Sequence, residues 1–124
     1  MEQKPLKLGK VQLEIMKVLW RNGSATARDI SEALAPTEGL SHSTVQTLLR
    51  KLEAKGAVTH ELEERTFIFK PLYQKDEVTE TATRDLLTRV FQGSVYGMVS
   101  HLLKHEEISE DELNRIKKLI EKEK

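Results

Sequence analysis

The sequence predicts a mainly α-helical protein with one small β-hairpin. Three helical patterns of apolar residues come first, two short runs of β-branched and aromatic residues follow, and three further helical patterns complete the chain. Only 5% of the 124 residues are aromatic and 38% are hydrophobic, which is little bulk for a β-sandwich or barrel. A chain of this length has room for one small domain with an appended segment.

Two short helices are predicted before residue 40. Apolar residues recur at helical spacing over residues 11–21, and Asn22-Gly23 then ends the first helix. Thr26 and Asp29 have the spacing of a capping box and precede the second pattern, which ends at residues 36–39. The apolar residues are Val11, Ile15, Met16, Val18, Leu19 and Trp20 in the first pattern, and Ala27, Ile30, Ala33 and Leu34 in the second.

A third helix is predicted to begin at a cap formed by Ser41 or Ser43 and to end at Lys55, before Gly56. Its apolar side chains fall on one face about 100° wide, which we expect to face the core. The opposite face is polar and basic and contains no acidic residue. The core face consists of Val45, Leu48, Leu49 and Leu52, and the opposite face of Ser43, Gln46, Thr47, Arg50, Lys51 and Ala54.

A hairpin is predicted from two strands at residues 58–62 and 66–70, joined by Glu63-Glu64-Arg65. Pro71 lacks a backbone N–H and therefore ends the second strand. Because the tip contains neither glycine nor asparagine, which tight two-residue type I′ turns favour, we expect a longer loop.

Three more helices are predicted over residues 78–91, 94–105 and 109–121. Gln92-Gly93 separates the first two, and Ser109 begins a capping-box sequence before the third. Since Pro71 closes the hairpin, the sequence predicts one domain over residues 1–73 and a three-helix domain over residues 74–124.

Three helices followed by a hairpin are the plan of a winged helix-turn-helix DNA-binding domain. In such a domain the third helix enters the major groove, where Arg50 suits guanine or a phosphate, Gln46 suits adenine and the Thr47 methyl group suits thymine. Alternatively, this face is only the solvent side of an amphipathic helix, and the domain is a winged-helix protein-interaction module without specific DNA binding. Acidic residues lie beside Arg65 at the hairpin tip and would be repelled by DNA phosphates, so we expect the wing to make only a limited contact with DNA.

The chain also resembles the penicillinase repressor family (BlaI/MecI/CopY type). The resemblance is carried by residues 12–20 (QLEIMKVLW), 26–30 (TARDI) and 43–52 (STVQTLLRKL), by Lys55-Gly56, and by Arg65, Phe67 and Pro71-Leu72. Two departures stand out: no cysteine is present for the copper binding of the copper-responsive branch, and Glu64 stands where similar sequences commonly have glycine.

The resemblance implies a homodimeric bacterial repressor whose winged helix binds a palindromic operator, often with TACA/TGTA-like half-sites. It also implies that a membrane sensor with a zinc protease domain relieves repression by cutting the repressor. The residues that align with the DNA-contacting positions are Ser43, Thr44, Thr47, Arg50 and Lys51 in the third helix, and Arg65 in the wing.

Each of the last three helices carries a stripe of apolar residues that must be buried away from water. Three helices in about 50 residues bury little of each other's surface, and small domains of this kind usually need metals, disulfides or oligomerisation. We therefore expect a homodimer, although packing of these helices back onto the first domain is an alternative. The predicted dimerisation residues are Leu87, Val90, Phe91, Val95, Met98, Val99, Leu102, Leu103, Leu113, Ile116 and Ile120.

Catalytic and metal-binding patterns are weak. His101 and His105 have a spacing that suits zinc, but Leu102 stands where a metalloprotease has its general base, and the sequence shows no third ligand. A histidine-based metal sensor is therefore a remote alternative, and we expect neither an enzyme nor a cofactor. No segment has the roughly 20 apolar residues of a membrane helix, and no signal peptide is evident, so we expect a cytoplasmic protein without membrane insertion.

Overall fold

The computed structural model describes residues 7–123, which form six helices and one two-stranded antiparallel sheet in the predicted order. The elements are α1 (Lys10–Asn22), α2 (Ala27–Leu34), α3 (His42–Ala54), β1 (Val58–Glu63), β2 (Thr66–Pro71), α4 (Lys75–Arg89), α5 (Val95–His105) and α6 (Glu110–Lys122). The fold is that of a winged helix followed by further helices, as the sequence predicts.

The core of the winged helix is built from the predicted apolar faces of α1, α2 and α3. Of the apolar residues predicted for α2, only Ala33 is exposed, because it lies outside the narrow stripe that faces α1 and α3. Trp20 and Leu48 are partly buried at the margin of this core. The fully enclosed side chains are those of Ile15, Met16, Val18, Leu19, Ile30, Val45, Leu49, Leu52 and Val58.

Side-chain caps fix where the helices begin. At α2 the predicted capping box is complete, since Thr26 Oγ1 accepts from the Asp29 N–H at 3.0 Å and the Asp29 carboxylate accepts from the Thr26 N–H at 3.1 Å. Ser41, rather than Ser43, caps α3 by accepting from the Thr44 N–H at 3.2 Å. Ser94 and Ser109 cap α5 and α6 in the same way.

The hairpin tip is a two-residue turn, so the expectation of a longer loop is wrong. Glu63 pairs with Thr66, which leaves only Glu64 and Arg65 between the strands. Both residues have positive φ angles, +45° and +69°, as a type I′ turn requires. Val58 and Phe69 lie on the same face of the hairpin and contribute to the core, and their burial fixes the strand register whatever the turn residues prefer.

Backbone hydrogen bonds join the hairpin to the helices. Ala25, between α1 and α2, exchanges two backbone hydrogen bonds with Phe69 of β2, at 3.0 and 2.8 Å. The Trp20 indole N–H donates to the Tyr73 carbonyl at 2.7 Å, which ties α1 to the segment after the hairpin. The wing is therefore anchored at its base, and only its tip extends from the domain.

The chain divides into two compact units after Thr83. This division comes later than the predicted boundary at residue 73, since α4 begins at Lys75 and its residue Val78 is buried within the first unit. None of the described residues from 84 to 123 is buried. Among the described residues, no helix combines the length and hydrophobicity needed to cross a membrane.

Candidate nucleic-acid interface

The outward face of α3 is the surface that the sequence singles out for DNA binding. All six of its predicted contact residues are exposed, while Val45, Leu49 and Leu52 on the opposite face have no exposed surface. The helix therefore presents one continuous polar and basic surface. Its exposed residues are Ser43, Thr44, Gln46, Thr47, Arg50 and Lys51.

Hydroxyl groups at the start of α3 are tied to one another and to the backbone. Ser41 Oγ lies 2.9 Å from Thr44 Oγ1 and 3.2 Å from Ser43 Oγ, and Thr47 Oγ1 donates to the Ser43 carbonyl at 3.1 Å. With its hydroxyl engaged in its own helix, Thr47 retains its methyl group as a free contact group. That group is the one which recognises the C5 methyl of thymine.

Gln46, Arg50 and Lys51 have free polar groups. Within residues 7–123, none of these three side chains makes a hydrogen bond or an ion pair, so binding a ligand breaks no internal contact. A free guanidinium offers a planar fork of donors, a free amide offers a donor and an acceptor, and a free ammonium offers a positive charge. These groups match base edges and phosphates.

One acidic residue of α3, Glu53, borders this surface and is held by the wing. Its carboxylate is hydrogen-bonded to Nδ1 of His60 in β1. The His60 ring also lies edge-on to Phe67, with the ring centres 4.8 Å apart, and 5.5 Å from Phe69. The Glu53–His60 pair is not evident from the sequence. Alternation along β1 places His60 on the face of Val58, but nothing in the local sequence indicates its partner on α3.

Lys55, the residue that follows α3, has a structural role and is not part of the proposed DNA-binding surface. Its ammonium group donates to the Lys7 carbonyl and to the side-chain oxygen of Gln12, both at 2.8 Å. These bonds tie the end of α3 to the beginning of α1. The free cations of α3 are thus Arg50 and Lys51.

The wing tip combines one basic residue with several acidic ones. Arg65 is exposed at the turn, while Glu63 and Glu64 are also exposed. Glu61 pairs with Lys70 at 3.2 Å. Acidic side chains are repelled by phosphates, so this tip offers DNA a single favourable charge.

The predicted dimerisation residues lie on α4, α5, α6 and the turn after α4, and none of them is fully buried. Those with large exposed fractions include Val90 (64%) and Val95 (63%). The exposed members are Val90, Val95, Val99, Leu102, Leu103 and Ile120, and the partly buried members are Leu87, Phe91, Met98, Leu113 and Ile116. Leu119, another apolar residue of α6, is also exposed.

Comparison with known proteins decides the family. The sequence profile of the family described as penicillinase repressor matches residues 8–122, almost the whole chain. The chain belongs to the penicillinase repressor family. It is therefore a DNA-binding transcriptional repressor.

Individual members resemble this repressor over most of its length. The penicillinase repressor of Bacillus licheniformis is 30% identical over 117 residues, which are 94% of this chain and 91% of that protein. The methicillin resistance regulatory protein MecI of Staphylococcus aureus is 21% identical over 98% of this chain and 99% of its own.

A solved structure of this family contains DNA. It is the solution structure of Bacillus licheniformis BlaI in its monomeric form, in complex with the blaP half-operator. The likeness has a TM-score of 0.52 at 32% identity and covers 60% of this repressor and 90% of that chain.

Proposed function

We propose that this repressor binds a palindromic operator as a homodimer, with α3 of each subunit in the major groove. Gln46, Thr47 and Arg50 contact base edges, and hydroxyl and ammonium groups beside them contact phosphates. Arg65 makes the wing's contact. The full set of DNA-contacting residues is Ser43, Thr44, Gln46, Thr47, Arg50, Lys51 and Arg65.

The observation that carries this proposal is the exposed, acid-free face of α3. A helix in the major groove needs short polar side chains near its beginning and cations further along, and α3 has both. Within the described residues, the side chains of Gln46, Arg50 and Lys51 are unpaired. Glu53, whose carboxylate would repel phosphate, is bound to His60 on the wing side. The half-operator in the related BlaI complex further supports a site composed of two halves.

The homodimer is supported by the second unit's lack of an enclosed core. Large apolar side chains of α5 and α6 are about half exposed in the single chain, among them Leu103 at 48% and Leu119 at 56%. Large apolar side chains exposed along a helix in this way are typical of an interaction site. A two-fold symmetric pair would cover it and place two recognition helices on half-sites about 34 Å, or one DNA turn, apart.

Release of the operator by proteolysis is the second part of the proposal. A cut between the two units, made through a membrane sensor-protease, would separate each DNA-binding unit from the dimerisation helices. Each winged helix would then bind its half-site alone and lose the gain from simultaneous binding, which is roughly 10²–10⁴-fold for linked modules.

The wing tip also offers a surface for a protein partner, in addition to the DNA-binding surface of α3. Leu62 and Phe67 face each other across the strands near the wing tip, with 64% and 52% of their surfaces exposed. Apolar residues in such a position suit a protein partner better than DNA.

A salt titration of duplex binding tests the proposed operator contacts. The full chain is incubated with a random-sequence duplex library, the retained sequences are selected, and the affinity for the best duplex is measured over a range of salt concentrations. We expect a palindromic consensus and a log affinity that falls linearly with log salt, by about 0.9 per phosphate neutralised.

Lys51→Ala should reduce that slope by about one and weaken all duplexes alike. Lys117→Ala, on α6, is the matched control and should leave the slope unchanged. Retention of no duplex at low salt would contradict the proposed operator contacts.

A further inference from the structure

Two histidines lie close together in the last turns of α5. His101 and His105 are one helical turn apart, their ring centres are separated by 4.4 Å, and their planes are inclined by 41°. Both side chains are exposed. Within residues 7–123, neither imidazole has a hydrogen bond or an ion pair, so all four ring nitrogens are free of protein partners.

This spacing is close to that of two imidazoles bound to one metal ion. Metal–nitrogen bonds of about 2.0–2.1 Å at a tetrahedral angle place two ring centres roughly 5 Å apart. A small rotation of the side chains therefore converts the observed pair into a chelate. Phe91 lies edge-on to His101, with ring centres 5.7 Å apart, and restricts the rotation of that imidazole.

We propose that His101 and His105 form a two-ligand site for a divalent transition metal ion of the zinc, nickel and copper group. Imidazole nitrogen is a preferred ligand of these ions, whereas Mg²⁺ prefers oxygen. The described residues contain no group of three or more potential ligands, so water completes the coordination sphere. The proposal concerns the second unit alone and does not depend on DNA binding.

The charge around the pair favours a cation. The histidines are at the carboxyl end of α5, where the helix dipole is negative. Glu106 and Glu107 follow directly and make no ion pair within the described part of the chain. Lys104 is the opposing charge on the same turn. Because the two ligands meet only when residues 101–105 are helical, bound metal also stabilises the end of α5.

Metal binding by the full-length protein tests this proposal. Isothermal titration with Zn²⁺ alone should show one ion bound per chain that excess Mg²⁺ does not displace. His101→Asn and His105→Asn should each weaken binding by on the order of a hundredfold, because each removes the chelate. The double variant, which lacks both ligands, should not bind Zn²⁺ at this site.

His42→Asn is the matched control, since His42 is an exposed histidine on α3 with no histidine nearby on its helix, and it should leave the affinity unchanged. Circular dichroism establishes that the variants keep their helical content. Retention of one Zn²⁺ ion at undiminished affinity in each single variant would mean that the histidines act separately and would overturn the proposal. Binding that survives the double variant would overturn it as well.

Discussion

In the proposed complex, Arg50 discriminates between bases more strongly than any other side chain of α3. Its guanidinium is planar, permanently charged and unpaired within the described residues, so it can form two parallel hydrogen bonds to O6 and N7 of guanine without giving up an internal contact. Lysine at this position would keep the charge but lose the fork. Gln46 and Thr47 provide weaker discrimination through one amide and one methyl group.

Arg50→Ala should therefore weaken operator binding by about 1–3 kcal/mol and relax the preference at one base pair of each half-site. Affinities for a set of duplexes with single base-pair changes measure both effects. Arg28→Ala is the control, because Arg28 is exposed on α2, pairs with Glu32 at 3.5 Å and is not one of the proposed DNA contacts. Unchanged affinity and unchanged base preference in Arg50→Ala would contradict the assigned contact.

Helical periodicity was sufficient to predict which side chains of α3 are exposed. Burial of Val45 and Leu49 follows from their common face, and exposure of Gln46 and Arg50 follows from the opposite one. The Glu53–His60 contact could not be predicted, because it joins two elements whose relative placement depends on the packed core. Local sequence predicts a side chain's face but not its tertiary partner.

The wing shows that the local sequence also has limits in predicting an entire element. Its two strands follow from β-branched and aromatic residues, and its end follows from Pro71. Its turn type does not follow, since Glu64 and Arg65 adopt left-handed backbone angles that non-glycine residues rarely take. The register imposed by core residues overrides the local preference of the turn and leaves conformational strain at the tip.

Glu64→Asn should release part of that strain. Asparagine tolerates a positive φ better than glutamate, and a left-handed conformation costs an ordinary residue about 1–2 kcal/mol. We expect the free energy of unfolding to rise by about 0.5–1 kcal/mol, measured by urea denaturation of the full chain.

Glu63→Asn is the matched control for this substitution. It removes the same charge one residue earlier, at a position in β1 that pairs with Thr66, and should give no stabilisation. Equal stabilisation by both substitutions would show that reduced charge repulsion, rather than backbone strain, is responsible.

The two units of the molecule differ in how they are stabilised. The first has a core of enclosed side chains from three helices and the hairpin. The second has no buried residue among those described, although α5 and α6 carry apolar stripes. Caps at Ser94 and Ser109 and acidic residues in the first turn of α6 support the helices locally, but each such term amounts to about 1 kcal/mol. This exposure supports the proposed homodimer, in which a second subunit would cover the apolar stripes.

Leu102→Asp should therefore disrupt the proposed dimer. Leu102 lies within the apolar stripe of α5 and is 44% exposed in the single chain, so a carboxylate there is tolerated by a monomer but loses its water in an interface. Burial of an unpaired charge is costly enough to make the monomer the favoured species. Sedimentation velocity should show dimers for the unaltered protein and monomers for this variant, with operator affinity reduced to that of a half-site. Lys104→Asp introduces the same side chain two residues further along the helix, outside the stripe, and should remain dimeric. If Leu102→Asp sediments as the same dimer as Lys104→Asp, the subunits associate through a different surface.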